Sequence, residues 1–331
     1  MRVRLCAGWD LGQLQKRAAA IAAYLGVREV RIMPDRSNAG VAEVAVIRRD
    51  PLSGGKPLPW PWLDKAMTSL WDPIPVGVGE DGEGIEISMP ERNMVVGGEP
   101  GGGKSVVLSM VVAAAALDPY AHLTLFDGKL VELSMWRGCA DHFVGPDLEK
   151  ALEVLKELRS DMEERYRYLM DNGRRKITRE DGERFPLRLV AIDELASFTL
   201  GVGDDKKLCA EFSNLLRDLV SRGRAAGIIV IAATQRPSHD IVPTSLRDLF
   251  AFRWAMRCTT PQASDTILGS GWATQGFSAT SIEGKDRGVG LLLSEGGTPV
   301  RLKAYYLSDD DLKILVARAE ALRRVGGEAA P

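Results

Sequence analysis

Residues 98–105 read Gly98-Glu99-Pro100-Gly101-Gly102-Gly103-Lys104-Ser105, a match to G-x-x-x-x-G-K-[ST]. Glycines at these places let the backbone turn tightly, so that its N–H groups face phosphate oxygens at a helix N-terminus. The lysine neutralises β- and γ-phosphates, and the serine hydroxyl ligates Mg²⁺. Gly98, Gly101, Gly102, Gly103, Lys104 and Ser105 are therefore candidate ATP ligands, with Ser105 also a Mg²⁺ ligand. An ATPase needs a second, carboxylate station at the end of a neighbouring strand. The apolar run 187–192 ends in Asp193-Glu194, where Asp193 can hold Mg²⁺ through water and Glu194 can orient and deprotonate the attacking water. A third run, Ile228-Ile229-Val230-Ile231-Ala232-Ala233, leads into Thr234-Gln235-Arg236-Pro237, which makes Gln235 a candidate γ-phosphate sensor. Arg222 and Arg224 flank Gly223 at a helix end. Such arginines often complete a neighbouring subunit's site, where charge on a departing phosphoryl group needs another cation. A surface ion pair is the simpler reading of both.

These residues need a scaffold that brings strand ends together. Short apolar strands at 94–97, 123–127, 187–193 and 228–234 alternate with helices starting at Gly103, near 148 and near 206. Apolar strands separated by helices argue an α/β fold with a parallel sheet covered on both faces. The helix predicted over 147–172 carries apolar residues at 148, 152, 155, 158, 162 and 169 and stops at Asn172-Gly173. The longest apolar stretch, 106–117, has 12 residues including Ser109. A membrane span needs about 20, so this stretch reads as a buried helix and the chain as a cytoplasmic protein with no span of its own.

The first 50 residues look like a separate α+β unit, with a helix over 11–25 and strands over 27–34 and 41–47. Nine Lys and Arg against five acids give this unit a local surplus of +4. Residues 50–75 hold six prolines and three tryptophans and read as a connector docked through its tryptophans. Over all 331 residues the balance is 43 Lys+Arg to 45 Asp+Glu, so any nucleic-acid surface must be a local patch. One candidate is 222–257, with six arginines, no lysine and two acids. Cys6, Cys139, Cys209 and Cys258 lack metal or disulfide spacing and read as reduced, mostly buried thiols. His122, His142 and His239 have no metal-ligand spacing and read as structural or exposed.

Several separated blocks resemble the FtsK/SpoIIIE family of double-stranded DNA translocases. They are Gly103-Lys104-Ser105-Val106, Phe126-Asp127-Gly128-Lys129-Leu130-Val131-Glu132-Leu133, Met162-Glu163-Glu164-Arg165-Tyr166, Ile192-Asp193-Glu194, Arg224-Ala225-Ala226-Gly227-Ile228 and Ala233-Thr234-Gln235-Arg236-Pro237-Ser238. The resemblance implies a RecA-like P-loop ATPase domain with a central, mostly parallel sheet over 76–308. It also implies a small α+β domain over 1–55, joined by a Pro/Trp-rich connector at 56–75 and followed by a C-terminal helix and polar tail at 309–331. It implies a homohexameric ring around duplex DNA, with ATP and Mg²⁺ at subunit interfaces. Lys104, Ser105 and Val106 would bind nucleotide, Ser105 and Asp193 Mg²⁺, and Asp193 and Glu194 would activate hydrolysis. Gln235 would sense the γ-phosphate, Arg224 would serve the neighbour's site, and Arg236 and Arg247 would touch the DNA backbone.

The chain departs from the family pattern at 259–265, where Thr259-Thr260-Pro261-Gln262-Ala263-Ser264-Asp265 lacks a Lys and an Arg expected to grip DNA. Lys285 and Arg287 are the candidates to replace them. Glu99-Pro100 stands where small P-loop residues are common, and the 24 residues after Leu307 are too few for a winged-helix domain. A short chain of this kind resembles the conjugative-transfer ATPases of actinobacterial plasmids and integrated elements, the TraB/TraSA type. Such a role implies a membrane-anchored partner at the inner face of the cell membrane. The alternatives are a chromosome-segregation translocase, a type VII secretion-like ATPase acting on protein substrates, and an idle scaffold, the last opposed by intact Lys104, Asp193 and Glu194.

Overall fold

In the computed structural model, which describes residues 1–328 apart from 7, 36, 49, 55 and 204, the strands fall into two sheets. Arg36 and Arg49 of the N-terminal basic surplus, and the last residues of the tail, lie outside the described residues. The smaller sheet joins β1 (Arg2–Arg4), β2 (Glu29–Pro34) and β3 (Val41–Ile47) in the antiparallel order β1-β3-β2. Its core is thin, with Ala22, Val30, Ile32 and Ala42 buried. The single helix expected over 11–25 is two, α1 (Leu11–Lys16) and α2 (Ala18–Leu25). Arg17 leaves helical geometry at φ −96 and ψ 0, and its guanidinium lies 5.2 Å over the Trp9 ring. The break aims the two apolar faces separately at the sheet. Asp10 and Gln13 form a reciprocal capping box at the start of α1.

The larger sheet collects β4 (Ile74–Gly79), β5 (Gly84–Ile87), β6 (Met94–Gly97), β7 (His122–Phe126), β8 (His142–Val144), β9 (Arg188–Ile192), β10 (Ile228–Thr234), β11 (Phe252–Met256), β12 (Val289–Ser294) and β13 (Val300–Ala304). Its order is β5-β4-β13-β12-β11-β6-β10-β9-β7-β8. Every pairing from β11 to β8 is parallel, as the apolar strand pattern requires. From β11 outward to β5 the pairings are antiparallel. That antiparallel half is assembled from segments on both sides of the alternating α/β region.

Helices cover both faces. On one, α3 (Lys104–Ala116) and α9 (Asp309–Glu328) share a core with Trp60, Trp136 and Trp254. On the other, α4 (Leu148–Asp171) and α6 (Asp205–Arg222) pack with Phe126, Phe198 and Phe212. Every residue of α3 from Val107 to Ala116 is buried, so the helix is apolar all round. Its exposed carbonyl end is closed by Arg323 of α9, which donates to the carbonyls of Ala115, Ala116, Asp118 and Ala121. Asp147 caps α4, and Gly173 at φ +62 ends it, as the Asn-Gly pair foretells. Three short helices, α5 (Ala196–Thr199), α7 (Thr244–Arg247) and α8 (Pro261–Leu268), lie in the connections that follow β9, β10 and β11. Among the described residues no helix is long and apolar enough to cross a membrane.

The Pro/Trp segment docks as its composition suggests. Trp60 is 2% exposed and donates to the Pro75 carbonyl at 2.9 Å, while Trp62 stacks at a tilt against it. Pro59 bridges to Tyr306, whose N–H donates to the Leu58 carbonyl. Three thiols are buried, but Cys6 is exposed, unlike the other cysteines; all four are free.

Candidate nucleotide site

The strand β6 lies between β10 and β11, and the glycine-rich loop leaves its C-terminal end at the parallel edge where α/β folds bind ligands. Glycine is required at two points. Gly98 sits at φ +153, and a Cβ there would lie 2.8 Å from that of Met256. Gly103 sits at φ +112, with Gly288 backbone 3.1 Å from the place of its missing Cβ. The departure at Glu99 is built in: its N–H donates to the Arg257 carbonyl at 2.9 Å, and its carboxylate pairs with the Arg257 guanidinium at 3.0 Å. Lys104, the first residue of α3, is buried and donates to the Glu99 carbonyl at 2.6 Å. Burial pushes its ammonium pKa down to about 8, against the pull of Glu194 and Asp193.

A cavity of about 600 Å³ opens from this loop. Gly101, Gly103, Lys104, Ser105, Val106 and Gln235 line it, together with Pro57, Tyr305 and Tyr306. Gly98 and Gly102 shape the loop from behind: the Gly98 N–H donates to the Thr234 carbonyl, and the Gly102 carbonyl accepts from Gly288. The expectation that Lys285 and Arg287 grip DNA meets a different placement, since both line this same cavity. They are exposed on the loop before Gly288, and Lys285 pairs with Glu283 at 2.8 Å.

At the end of β9, Asp193 and Glu194 are each 5% exposed. One oxygen of Asp193, Oδ2, is buried with no hydrogen-bond partner. Burial, with Glu132 and Asp127 nearby, pushes its carboxyl up to about 7. A cation would satisfy the orphan oxygen and offset the burial of this carboxylate, so Asp193, with the Ser105 hydroxyl of the P-loop, fits Mg²⁺. Among the described residues no cluster of three acids, cysteines or histidines could hold a metal alone. A P-loop metal needs none, because phosphate oxygens and water complete its shell.

Glu194 is held by the sensor candidate Gln235 and by two residues to which the sequence assigned no role, Thr234 and Lys129. Its Oε1 accepts from the Thr234 hydroxyl at 2.8 Å, its Oε2 from the Gln235 N–H at 3.1 Å, and Oε2 also pairs with Lys129 at 3.3 Å. Lys129 belongs to the 126–133 block. Buried Asp127 folds that block by accepting from the Lys129 and Leu133 N–H groups. Only the recurrence of that block pointed to the site, and nothing in it named Lys129. Thus Lys104, Ser105, Val106, Asp193, Glu194 and Gln235 gather at one edge.

Arg224 lies elsewhere. It precedes β10, whose seven residues at about 3.3 Å each separate it from Gln235 by roughly 20 Å. Its guanidinium donates to the Glu91 carbonyl and pairs with Glu295. It therefore cannot reach the nucleotide cavity of its own chain.

The basic segment 222–257 is not a patch. Arg222 pairs with Glu163, Arg253 with Asp248, and Arg257 with Glu99. Arg247, expected on a DNA-facing loop, is 7% exposed, pairs with Asp248 and donates to the Asp265 carbonyl. Buried between those partners, it has no face to offer a phosphate. Arg236 differs, being exposed with no side-chain ion pair among the described residues. His122 and His142 sit beside Asp141 and Glu157, and His239 beside Thr244, as structural or exposed groups.

Comparison with known proteins matches residues 63–188, which carry the P-loop, to the FtsK/SpoIIIE family. The match covers the P-loop strand and helix and runs to the start of β9. It is 29% identical over 328 residues to the DNA translocase FtsK of Staphylococcus epidermidis, covering 89% of this chain and 38% of that protein. With FtsK of Halalkalibacterium halodurans it shares 28% over 340 residues, covering 93% and 40%. The chain thus spans less than half the length of these curated FtsK relatives. Among solved structures, its fold is similar to the pCW3 conjugation coupling protein TcpA with ATPγS. The TM-score is 0.69 at 22% identity, covering 94% of this chain and 87% of TcpA. It is also similar to EssC ATPases 2 and 3 from Geobacillus thermodenitrificans, with TM-score 0.66 at 18% identity, covering 83% and 53%. The chain accordingly has the P-loop fold that the glycine loop and parallel strands predict.

Proposed function

We propose that the protein is an ATP-driven motor that moves double-stranded DNA. The observation that carries the reading is the convergence of Lys104, Ser105, Asp193, Glu194 and Gln235 on the ends of three adjacent parallel strands, in a chain whose relatives are DNA translocases. In this reading the loop N–H groups and Lys104 bind the β- and γ-phosphates, and Ser105 and Asp193 hold Mg²⁺, which offsets charge on the phosphoryl oxygens. Glu194 takes the proton of the attacking water, and Gln235 at the end of β10 registers the γ-phosphate.

Arg224 acts in this scheme only across an interface, because about 20 Å of strand separates it from its own site. A head-to-tail contact that supplies one chain's Arg224 to the next chain's phosphates generates a ring when it closes, and we read that ring as a homohexamer around duplex DNA. Exposed Arg236, directly after the sensor, is the residue we assign to the phosphate backbone. We place the motor at the inner face of the cell membrane in conjugative transfer, with a membrane-anchored partner.

ATP turnover with and without linear duplex DNA, across a salt series, tests the reading. Several-fold stimulation that fades with salt is expected, with Lys104→Ala inactive. A second reading, a protein-translocating ATPase of the type VII kind, is favoured by one observation: the basic segment 222–257 is largely consumed by internal ion pairs. Turnover that depends on Lys104 yet ignores DNA, and rises with a peptide substrate, would select it.

A further inference from the structure

Glu194 is the residue the proposed reaction depends on, and its surroundings do more than orient it. A carboxylate offers about four lone-pair sites. Here Oε1 faces the Thr234 hydroxyl at 2.8 Å and the Gln235 N–H at 3.3 Å, while Oε2 faces the Gln235 N–H at 3.1 Å and the Lys129 ammonium at 3.3 Å. Three donors, with the Gln235 N–H shared between both oxygens, thus engage each carboxylate oxygen before a water arrives.

The donors are not equivalent. Thr234 is fully buried, with only the long 3.4 Å contact to the Arg236 carbonyl as a second acceptor, and the Gln235 N–H is part-buried, so both lose their best partner if Glu194 turns away. The Lys129 side chain is 40% exposed against 6% for Glu194, so it can exchange the carboxylate for water at little cost. Its contact is the one that can be released.

The loop that carries Lys129 has two contrasting ends. Its base is fixed by buried Asp127, which accepts from the N–H groups of Lys129 and Leu133. Its tip is strained and open: Leu130 is a non-glycine residue at φ +57, Val131 is 65% exposed, and Leu130 rests against Gly145. A strained, exposed turn carrying the releasable donor is a movable part beside the reacting carboxylate.

We propose that Lys129 is a positioning residue that restrains Glu194, holding its carboxylate in a resting state until the 127–133 loop shifts. The proposal rests on the reading of Glu194 as the base.

Steady-state turnover without nucleic acid tests it in the full chain, comparing wild type with Lys129→Met, Lys129→Gln, Lys129→Arg, Glu194→Gln and the double variant Lys129→Met/Glu194→Gln. Removing the charge is expected to raise kcat about two- to fivefold, the scale of a half-exposed ion pair, with KM for ATP unchanged. Lys129→Arg should return kcat to the wild-type value, and the double variant should show no rise. ATPγS binding checks that each variant is folded, and Lys129→Met and Lys129→Gln serve as substitutes should one fail to fold. A fall in kcat rescued by Lys129→Arg would overturn the restraint in favour of a cation needed in the reaction, and an unchanged kcat would also overturn it. Should Glu194→Gln keep full turnover, the base reading itself fails; if Glu194→Gln is dead and Lys129→Met merely wild-type, the restraint alone fails.

Discussion

Two charged regions of the molecule are built on opposite principles. At the nucleotide site, charge is buried and underpaired: Asp193 has an orphan oxygen, and Lys104 bonds a carbonyl in place of a carboxylate. At the seam between the two sheets, charge is paired throughout, with the Asp50 and Arg301 side chains buried at its centre and Glu283 exposed at its rim. Arg301 meets Asp50 and Glu80, Arg31 meets Glu29 and Glu80, and Arg28 meets Asp50 and Glu283. The small α+β unit buries four core residues among those described, and this network joins it to the rest. A buried carboxyl with an orphan oxygen beside a phosphate loop suits a cation, whereas paired charges at the seam suit attachment.

Substitutions at the two regions should therefore separate activity from stability. Glu194→Gln is expected to lower turnover by about 10²- to 10⁴-fold, the contribution of a general base, with the unfolding midpoint nearly unchanged. Arg301→Ala should do the reverse, lowering unfolding free energy by about 1–3 kcal/mol, since it leaves buried Asp50 with Arg28 alone and Glu80 with Arg31 alone. Denaturant unfolding followed by turnover of the folded fraction checks both. Loss of activity from Arg301→Ala without loss of stability would erase the distinction.

The pH dependence sharpens the comparison because the two regions titrate with opposite sign. Burial, with Glu132 and Asp127, raises the Asp193 carboxyl to about 7, above its unfolded value of about 3.9. Its ionised form destabilises the fold, so chelator-treated protein should gain on the order of 1–3 kcal/mol as pH falls from about 8 to 5, a gain absent in Asp193→Asn. Burial pushes the Asp50 carboxyl up as well, yet Arg301 and the Leu52 N–H outweigh it and hold that carboxyl below the ordinary value. Asp50 therefore contributes stability above about pH 4 and loses it as pH drops through its lowered value. Thermal unfolding in a pH series reads both windows.

The smallest effect is expected at Arg236. Its replacement by alanine should weaken duplex binding uniformly across sequences and reduce the salt slope by about 1. Arg247→Ala should leave that slope alone, because its side chain is buried against Asp248 and the Asp265 carbonyl.

What the sequence displayed of this design was local. The P-loop, the Asp193-Glu194 step and the apolar strands β6, β7, β9 and β10 follow from spacing and residue type alone. The antiparallel half of the sheet did not, because β4 and β5 precede the alternating region and β12 and β13 follow it, and only long-range pairing brings them together. A count of arginines along 222–257 suggested a surface patch, but a linear count ignores acids such as Glu163, Glu295 and Glu99 that fold back onto it. The return of Lys285 and Arg287 to the nucleotide cavity was hidden in the same way, as was the grip of Thr234 and Lys129 on Glu194.

The central claim is that the underpaired site drives movement along duplex DNA. Displacement of a third strand annealed to a linear duplex, followed in time after ATP addition, measures that movement directly. The account expects displacement that needs ATP, is lost in Lys104→Ala and Glu194→Gln, and slows as salt rises. Steady ATP turnover on the same duplex with the third strand left in place would contradict it.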